Sequence, residues 1–202
     1  EAALAALPIA KRMRWGARRA EFVRPVHWVV MLFGRVVVTG EVLGIETGRE
    51  TRGHRVHGSA RITLESATDY EKALREQGCV VADYATRRAD VAAQVRTKAA
   101  ELGGTAVIDE ALLDEVSSLV EWPRALAGRF EQRFLEVPAE ALISSMKQHQ
   151  KYFHVVDATG ALLPYFITVS NIDSSDTQKV VEGNERVIRP RLTDAAFFFA
   201  QD

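Results

Sequence analysis

Tyr152-Phe153-His154-Val155-Val156-Asp157-Ala158-Thr159-Gly160-Ala161-Leu162-Leu163-Pro164-Tyr165-Phe166-Ile167-Thr168-Val169-Ser170 is the stretch that decides the fold class. Residues 152–156 and 165–170 are rich in aromatic and β-branched side chains. They flank turn formers at 157–160, which predicts a β-hairpin with a longer loop. Near the other end, the apolar run 26–33 meets Gly34-Arg35 and continues in β-branched residues to Val42, a second hairpin with a tight turn. Only the middle alternates strand with helix, so hairpin connections dominate the ends. The expected fold is α+β, with a mixed, largely antiparallel β-sheet covered by helices. Strands are expected within 26–42, 79–82, 105–108, 126–137 and 152–170.

The helices follow from caps and spacing. Ser66-Ala67-Thr68-Asp69 opens a helix that runs to about Gln77 and stops at Gly78. Residues 84–102 repeat Val91, Val95 and Ala99 at spacing four before Gly103-Gly104. Residues 110–120 and 139–148 form two more, the first with acids in its opening turn. The last helix, 177–201, gathers Val180, Val181, Val187, Ile188, Leu192, Ala195, Phe198 and Phe199 in one broad apolar arc and turns Arg186 and Arg189 away. Pro190 should kink or restart it. On an unbroken helix Arg191 would fall inside the arc, so either Pro190 shifts the register or Arg191 is partly buried with a carboxylate such as Asp194. Residues 46–61, with three glycines and little apolar content, read as a long polar loop. The chain is expected to form one large α+β domain over 1–202, or two subdomains at about 1–121 and 122–202.

Composition narrows the function. In 202 residues, 47% are hydrophobic and 26% charged, enough to bury a core without a disulfide or metal staple. A lone Cys79 excludes a disulfide framework within the chain and is read as a small core residue in a strand. No apolar run approaches the roughly 20 residues that span a bilayer. The opening Glu1-Ala2-Ala3-Leu4 has neither an initiator Met nor a signal pattern, so a cytoplasmic piece of a larger protein is expected, with no membrane partner. Net charge is −1, but residues 1–40 hold seven Lys/Arg against two acids, while 65–121 hold six against twelve. That asymmetry permits a basic surface on a near-neutral chain.

No phosphate loop, dinucleotide fingerprint or nucleophile elbow is present. His54 and His57 lack a third ligand, so no metal site is expected, and no catalytic residue is assigned. Three basic clusters remain. One is 11–19, with Lys11, Arg12, Arg14, Arg18, Arg19 and Trp15. The second is Arg49, Arg52, His54, Arg55 and His57 in the Gly-rich loop, where guanidinium groups and open amides could meet phosphate oxygens. The third is Lys147, His149 and Lys151 at a helix end, which dipole compensation also explains.

These residues carry a resemblance. Met146-Lys147, His149-Gln150-Lys151-Tyr152-Phe153, Asn171-Ile172, and the run from Gly183-Asn184-Glu185-Arg186 through Arg189-Pro190-Arg191-Leu192-Thr193-Asp194 to Phe198 resemble the β subunit of bacterial glycyl-tRNA synthetase. So do Arg12-Met13-Arg14-Trp15, His27-Trp28, Thr51-Arg52-Gly53-His54-Arg55, His57 and Glu121-Trp122-Pro123. Val56 and His154 depart from the family's usual aromatic and Pro, and neither change removes a charged or catalytic group.

The resemblance implies a part of glycine–tRNA ligase, the aminoacyl-tRNA synthetase that attaches glycine to tRNA(Gly) at the expense of ATP. In that family the α subunit is the class II core holding ATP, Mg²⁺ and glycine, so no cofactor is expected in this section. The β subunit engages tRNA, and the two form a hetero-oligomer. The chain looks like an interior section, before the HD-like and anticodon-binding regions. It is similar to the editing-module region of the phenylalanyl-tRNA synthetase β chain. Two readings follow. In the first, this is a non-catalytic tRNA-engaging or scaffolding part, inactive alone, with Arg12, Arg14, Arg52, His54, Arg55, His57, Lys147 and Lys151 as tRNA-binding candidates. In the second it is an editing-type hydrolase of mischarged aminoacyl-tRNA, with His54 or His57 as general base.

Overall fold

A computed structural model describes residues 2–17 and 19–201. The Arg18 of the first basic cluster therefore lies outside the described residues. The chain divides into two compact units, 1–80 and 81–202. The division also separates charge: the first unit has thirteen Lys/Arg against nine acids, +4, and the second thirteen against eighteen, −5.

The first unit is built from short strands. After α1 (Ala2–Ala5), β1 (Met13–Arg14) pairs antiparallel with β2 (Glu21–Phe22). β3 (Val29–Val30) leads into β4 (Leu32–Phe33), which turns at Gly34 (φ +57°) onto β5 (Val36–Val37). Glycine at the first central position is what such a two-residue turn needs, so this hairpin forms where expected. β6 (Glu41–Val42) and β7 (Ile45–Gly48) form another hairpin, and β7 also pairs parallel with β3. β8 (Glu50–Thr51) pairs with β9 (Ile62–Thr63). Residues 46–51, expected as loop, are thus largely strand. Thr51, Ile62 and Leu64 are buried there, and that inward stripe outweighs the polar composition of the segment. Ser66 and Asp69 form the expected capping box ahead of a 3₁₀ turn and α2 (Tyr70–Glu76).

Residues 79–82 do not form the expected strand. Cys79 has φ +51° and is only half-buried, its thiol against the His57 carbonyl at 3.6 Å. The backbone beyond it is used one bond at a time: Val80 N–H donates to Leu74 O, and Val81 N–H to Glu121 O. It is a connector between two units, with no strand beside it to complete a ladder.

In the second unit Asp83 caps α3 (Tyr84–Glu101), β10 (Thr105–Ala106) follows, and Asp109 caps α4 (Glu110–Leu119). Next come β11 (Arg124–Arg129), a 3₁₀ turn (Gln132–Glu136), α5 (Ala139–Ser144) and one π-helical turn (Ser145–His149). β12 (Phe153–Val156), β13 (Leu162–Ser170) and α6 (Thr177–Phe199) complete it. The sheet order is β10-β12-β13-β11, antiparallel throughout. Neighbouring residues on a strand face opposite ways, so Ile167 joins Val91, Val95, Leu113 and Phe153 under α3 and α4, while Phe166 joins Leu142, Met146, Ile188 and Leu192 under α5 and α6. Each fully buried Phe contributes about 1.5–3 kcal/mol. The result is α+β, as the hairpins predicted.

The division falls after Val80, and α3, α4 and the strands beyond 122 share one core. Two expectations change. The strand expected over 126–137 ends at Arg129; Phe134 and Val137 are buried through a 3₁₀ turn, which an alternating apolar pattern imitates. In α6 only Ile188 and Leu192 are fully buried, whereas Val187, Phe198 and Phe199 are exposed and Arg191 stands in solvent. One i, i+4 pair seats this helix against its neighbours, a narrower stripe than the arc expected, and α6 runs continuously through Pro190.

Candidate nucleic-acid interface

The basic loop begins where β8 ends. Thr51 is buried and its Oγ1 accepts from Trp28 Nε1–H at 3.1 Å, pinning the end of the strand. Arg49, counted with the cluster in the sequence, is spent on structure: its guanidinium donates to Leu64 O at 3.2 Å and Arg35 O at 3.0 Å. The chain then leaves the sheet and folds back within seven residues, clamped to the end of α2. Gly53 N–H donates to Ser59 O, His54 N–H to Gly78 O at 2.6 Å, Gly58 N–H to His54 O at 2.8 Å, and Ser59 N–H to Gln77 O.

Glycine makes this possible by absence of side chains. A Cβ on Gly53 would lie 2.4 Å from Gly78 Cα, and one on Gly58 would lie 2.1 Å from Gly78 O. Real Cβ atoms do not approach backbone so closely, so Gly53, Gly58 and Gly78 form a contact of bare backbone. What composition presents as a slack polar loop is a tight one.

His54 holds the turn from inside. It is 3% exposed, and its Nδ1 accepts the N–H groups of Val56 at 3.1 Å and His57 at 3.2 Å, as a capping side chain does at a helix start. With two donors on its one lone pair, Nδ1 cannot also receive a substrate proton. His57 stacks on it, ring centroids 5.0 Å apart. Arg52 and Arg55 project outward and are exposed, and neither enters an ion pair among the described residues. Arg52 lies over the Trp28 ring at 5.3 Å, a cation–π contact that orients the guanidinium without neutralising it.

The other candidates are placed elsewhere. Arg12 donates to Ala5 O at 2.9 Å, and Arg14 pairs with Glu21 at 2.9 Å across β1 and β2. Lys147 pairs with Asp109 at 2.6 Å and Lys151 with Glu115 at 2.9 Å, both in the second unit. The ammonium of Lys147, with the Leu112 N–H, holds the Asp109 carboxyl below its ordinary range. Both lysines are therefore engaged by carboxylates at α4. No group of three or more His, Cys, Asp or Glu side chains that could hold a metal ion occurs among the described residues.

The residues that carried the resemblance mostly do structural work. Asn171 Oδ1 accepts from Glu121 N–H at 2.8 Å and Trp122 N–H at 3.0 Å, and Glu185 accepts from Arg129 N–H at 2.9 Å. Tyr152 donates to Asn184 Oδ1 at 2.6 Å and stacks on Phe166, with centroids 4.4 Å apart. Burial pushes the Tyr152 hydroxyl up to about 12, against a smaller downward pull from Arg191. Trp28, which anchors the loop, was missed as a site residue because its contact is with Thr51, distant in sequence.

Comparison with known proteins gives the family. The family model described as glycyl-tRNA synthetase beta subunit matches residues 1–202. Glycine–tRNA ligase beta subunits of Hahella chejuensis, Marinobacter nauticus and Chromohalobacter salexigens are 63%, 59% and 61% identical over the whole chain. The chain spans 29% of the length of each of these relatives. On these findings, the chain belongs to the glycyl-tRNA synthetase β subunit family.

Proposed function

We propose that this chain is a non-catalytic, tRNA-engaging and scaffolding part of glycine–tRNA ligase. The enzyme attaches glycine to tRNA(Gly) with ATP, and in this reading ATP and Mg²⁺ belong to an α subunit with which the β subunit forms a hetero-oligomer in the cytoplasm. The observation that carries the reading is the glycine-clamped turn 53–59, on and beside which Arg55 and Arg52 stand without a carboxylate partner among the described residues, in a unit of charge +4. Forked guanidinium donors suit phosphate oxygens, and contact to backbone and shape is what A-form RNA offers to side chains. Arg12 and His57 add to the same unit's surface, and Arg14 would first have to leave Glu21. Lys147 and Lys151 remain weaker candidates, since contact with phosphate would compete with Asp109 and Glu115.

In the hydrolase alternative His54 Nδ1 is occupied by two backbone donors inside the turn, which leaves His57 as the candidate general base. A relation to the editing-module region of the phenylalanyl-tRNA synthetase β chain is part of this proposal, and a shared fold would not carry chemistry with it.

The test is steady-state aminoacylation by the reconstituted α/β synthetase carrying Arg52→Ala and Arg55→Ala. The expected result is a raised KM for tRNA, with tRNA-independent, glycine-dependent ATP–pyrophosphate exchange unchanged. An unchanged KM would remove the loop from tRNA binding. This chain expressed alone should catalyse neither step.

A further inference from the structure

Beside Arg52 the first unit has a recess of about 430 Å³ lined by Trp28, Leu32, Thr51, Leu64, Ala67 and Tyr70. We propose that it receives one unstacked nucleobase from a single-stranded segment of bound RNA, with Arg52 holding an adjoining phosphate. The proposal rests on the reading of this unit as the RNA-facing one.

The walls define the ligand. Trp28 and Tyr70 are each 39% exposed, so two aromatic side chains are presented to solvent at the recess. Leu64, 1% exposed, and Ala67 supply an apolar lining, and Thr51 supplies a hydroxyl. The volume lies within the roughly 300–1,000 Å³ of ordinary ligand sites. No charged side chain is among the lining residues, so a bare phosphate has nothing there to bind, whereas a flat aromatic base has ring faces to stack on. Sequence preference should be weak, because every base has a π face, and of the two hydroxyls in the lining that of Thr51 is already engaged by Trp28 and that of Tyr70 is one group only.

Charge then separates this recess from its neighbour. Trp28 also borders a second recess, of about 420 Å³, whose lining sets Glu46 and Glu50 against Arg49 and His27, two carboxylates to one guanidinium and so less favourable to a polyanion. The first recess has no carboxylate in its lining, and Arg52 stacks on the Trp28 that forms its wall. A base in the recess places its own phosphate beside a guanidinium already oriented by the indole. Paired RNA keeps its bases stacked, so the ligand has to be a loop, bulge or end.

The test uses the reconstituted α/β synthetase and measures tRNA(Gly) affinity across a salt series. Tyr70→Ala should weaken binding roughly five- to 100-fold with the salt slope unchanged, because stacking releases no counterions. Tyr70→Phe should bind as the unmodified enzyme does. Ala67→Leu, which fills the recess and removes no contact, should also weaken binding at constant slope. Arg52→Ala with Arg55→Ala should instead make the slope shallower. Full affinity in both Tyr70→Ala and Ala67→Leu overturns the recess, even if the arginine variant shows the loop to be in contact. Weakened recess variants beside an unaffected arginine variant would support the recess and refute the loop.

Discussion

Gly58→Ala gives the sharpest check on the claim that residues 53–59 form a tight structure. The new Cβ would stand 2.1 Å from Gly78 O, 2.4 Å from His54 N and 2.8 Å from Gly53 Cα. All three are backbone atoms, so no side-chain rotation relieves the overlap and the loop must move away from Gly78. Movement of that size breaks the bonds Gly58 N–H to His54 O, His54 N–H to Gly78 O and Ser59 N–H to Gln77 O. At about 0.5–1.5 kcal/mol net for each bond, the expected loss is about 2–4 kcal/mol. In a unit of this size about 1 kcal/mol shifts the melting temperature by about 4–8 °C, so a fall on the order of 10 °C or more is expected. Calorimetry supplies the number, and faster amide exchange at His54 and Gly58 locates the damage. Gly183→Ala is the control: it lies in α6 with no atom within 4 Å of its Cβ, and helix propensity should make it neutral or stabilising by up to about 1 kcal/mol. If Gly58→Ala melts within a degree or two of the unmodified chain, the turn is not clamped as described.

Tyr152→Phe removes the donor to Asn184 from a buried hydroxyl, and chemical denaturation should report a loss of about 0.5–1.5 kcal/mol in the second unit; an unchanged midpoint would mean the bond contributes nothing. Burial lowers the His154 pKa from its ordinary 6.5; Asp109 opposes that shift and Lys147 adds to it. The unfolded chain therefore binds the proton more readily, and stability should fall as pH drops from 7 through about 6.5 towards the folded value, then level off. The slope is at most about 1.4 kcal/mol per pH unit, and His154→Gln should flatten it, whereas an identical pH profile in the variant would assign the effect to another group.

Local signals made the second unit legible in the sequence. Acids in its first turn announce α4, Asp157–Gly160 announces the hairpin, and spacing four announces the buried face of α3. The first unit was harder to read because its strands are mostly two residues long and several pair with distant segments, β3 with β7 and β8 with β9. Short strands leave no alternation to count. The site was half legible. Arg52 and Arg55 follow from composition and position, but His54 looks equally functional until its Nδ1 is seen capping the turn. Lys147 and Lys151 looked like a basic patch because Asp109 and Glu115, which engage them, lie more than thirty residues away. The glycines at 53, 58 and 78 could not be read as one contact, since nothing in sequence says that Gly78 returns to meet the other two.

The central claim is that Arg52 and Arg55 neutralise RNA phosphates. Its most direct test is the slope of log affinity for tRNA(Gly) against log salt, for the reconstituted α/β synthetase with and without Arg52→Ala/Arg55→Ala. Each phosphate contact contributes a slope of roughly −0.7 on single strands to −0.9 on duplex. Losing two such contacts should make the slope shallower by about 1.4–1.8 and weaken binding most at low salt. Superimposable salt plots for the two enzymes would contradict the claim and remove the loop from RNA contact.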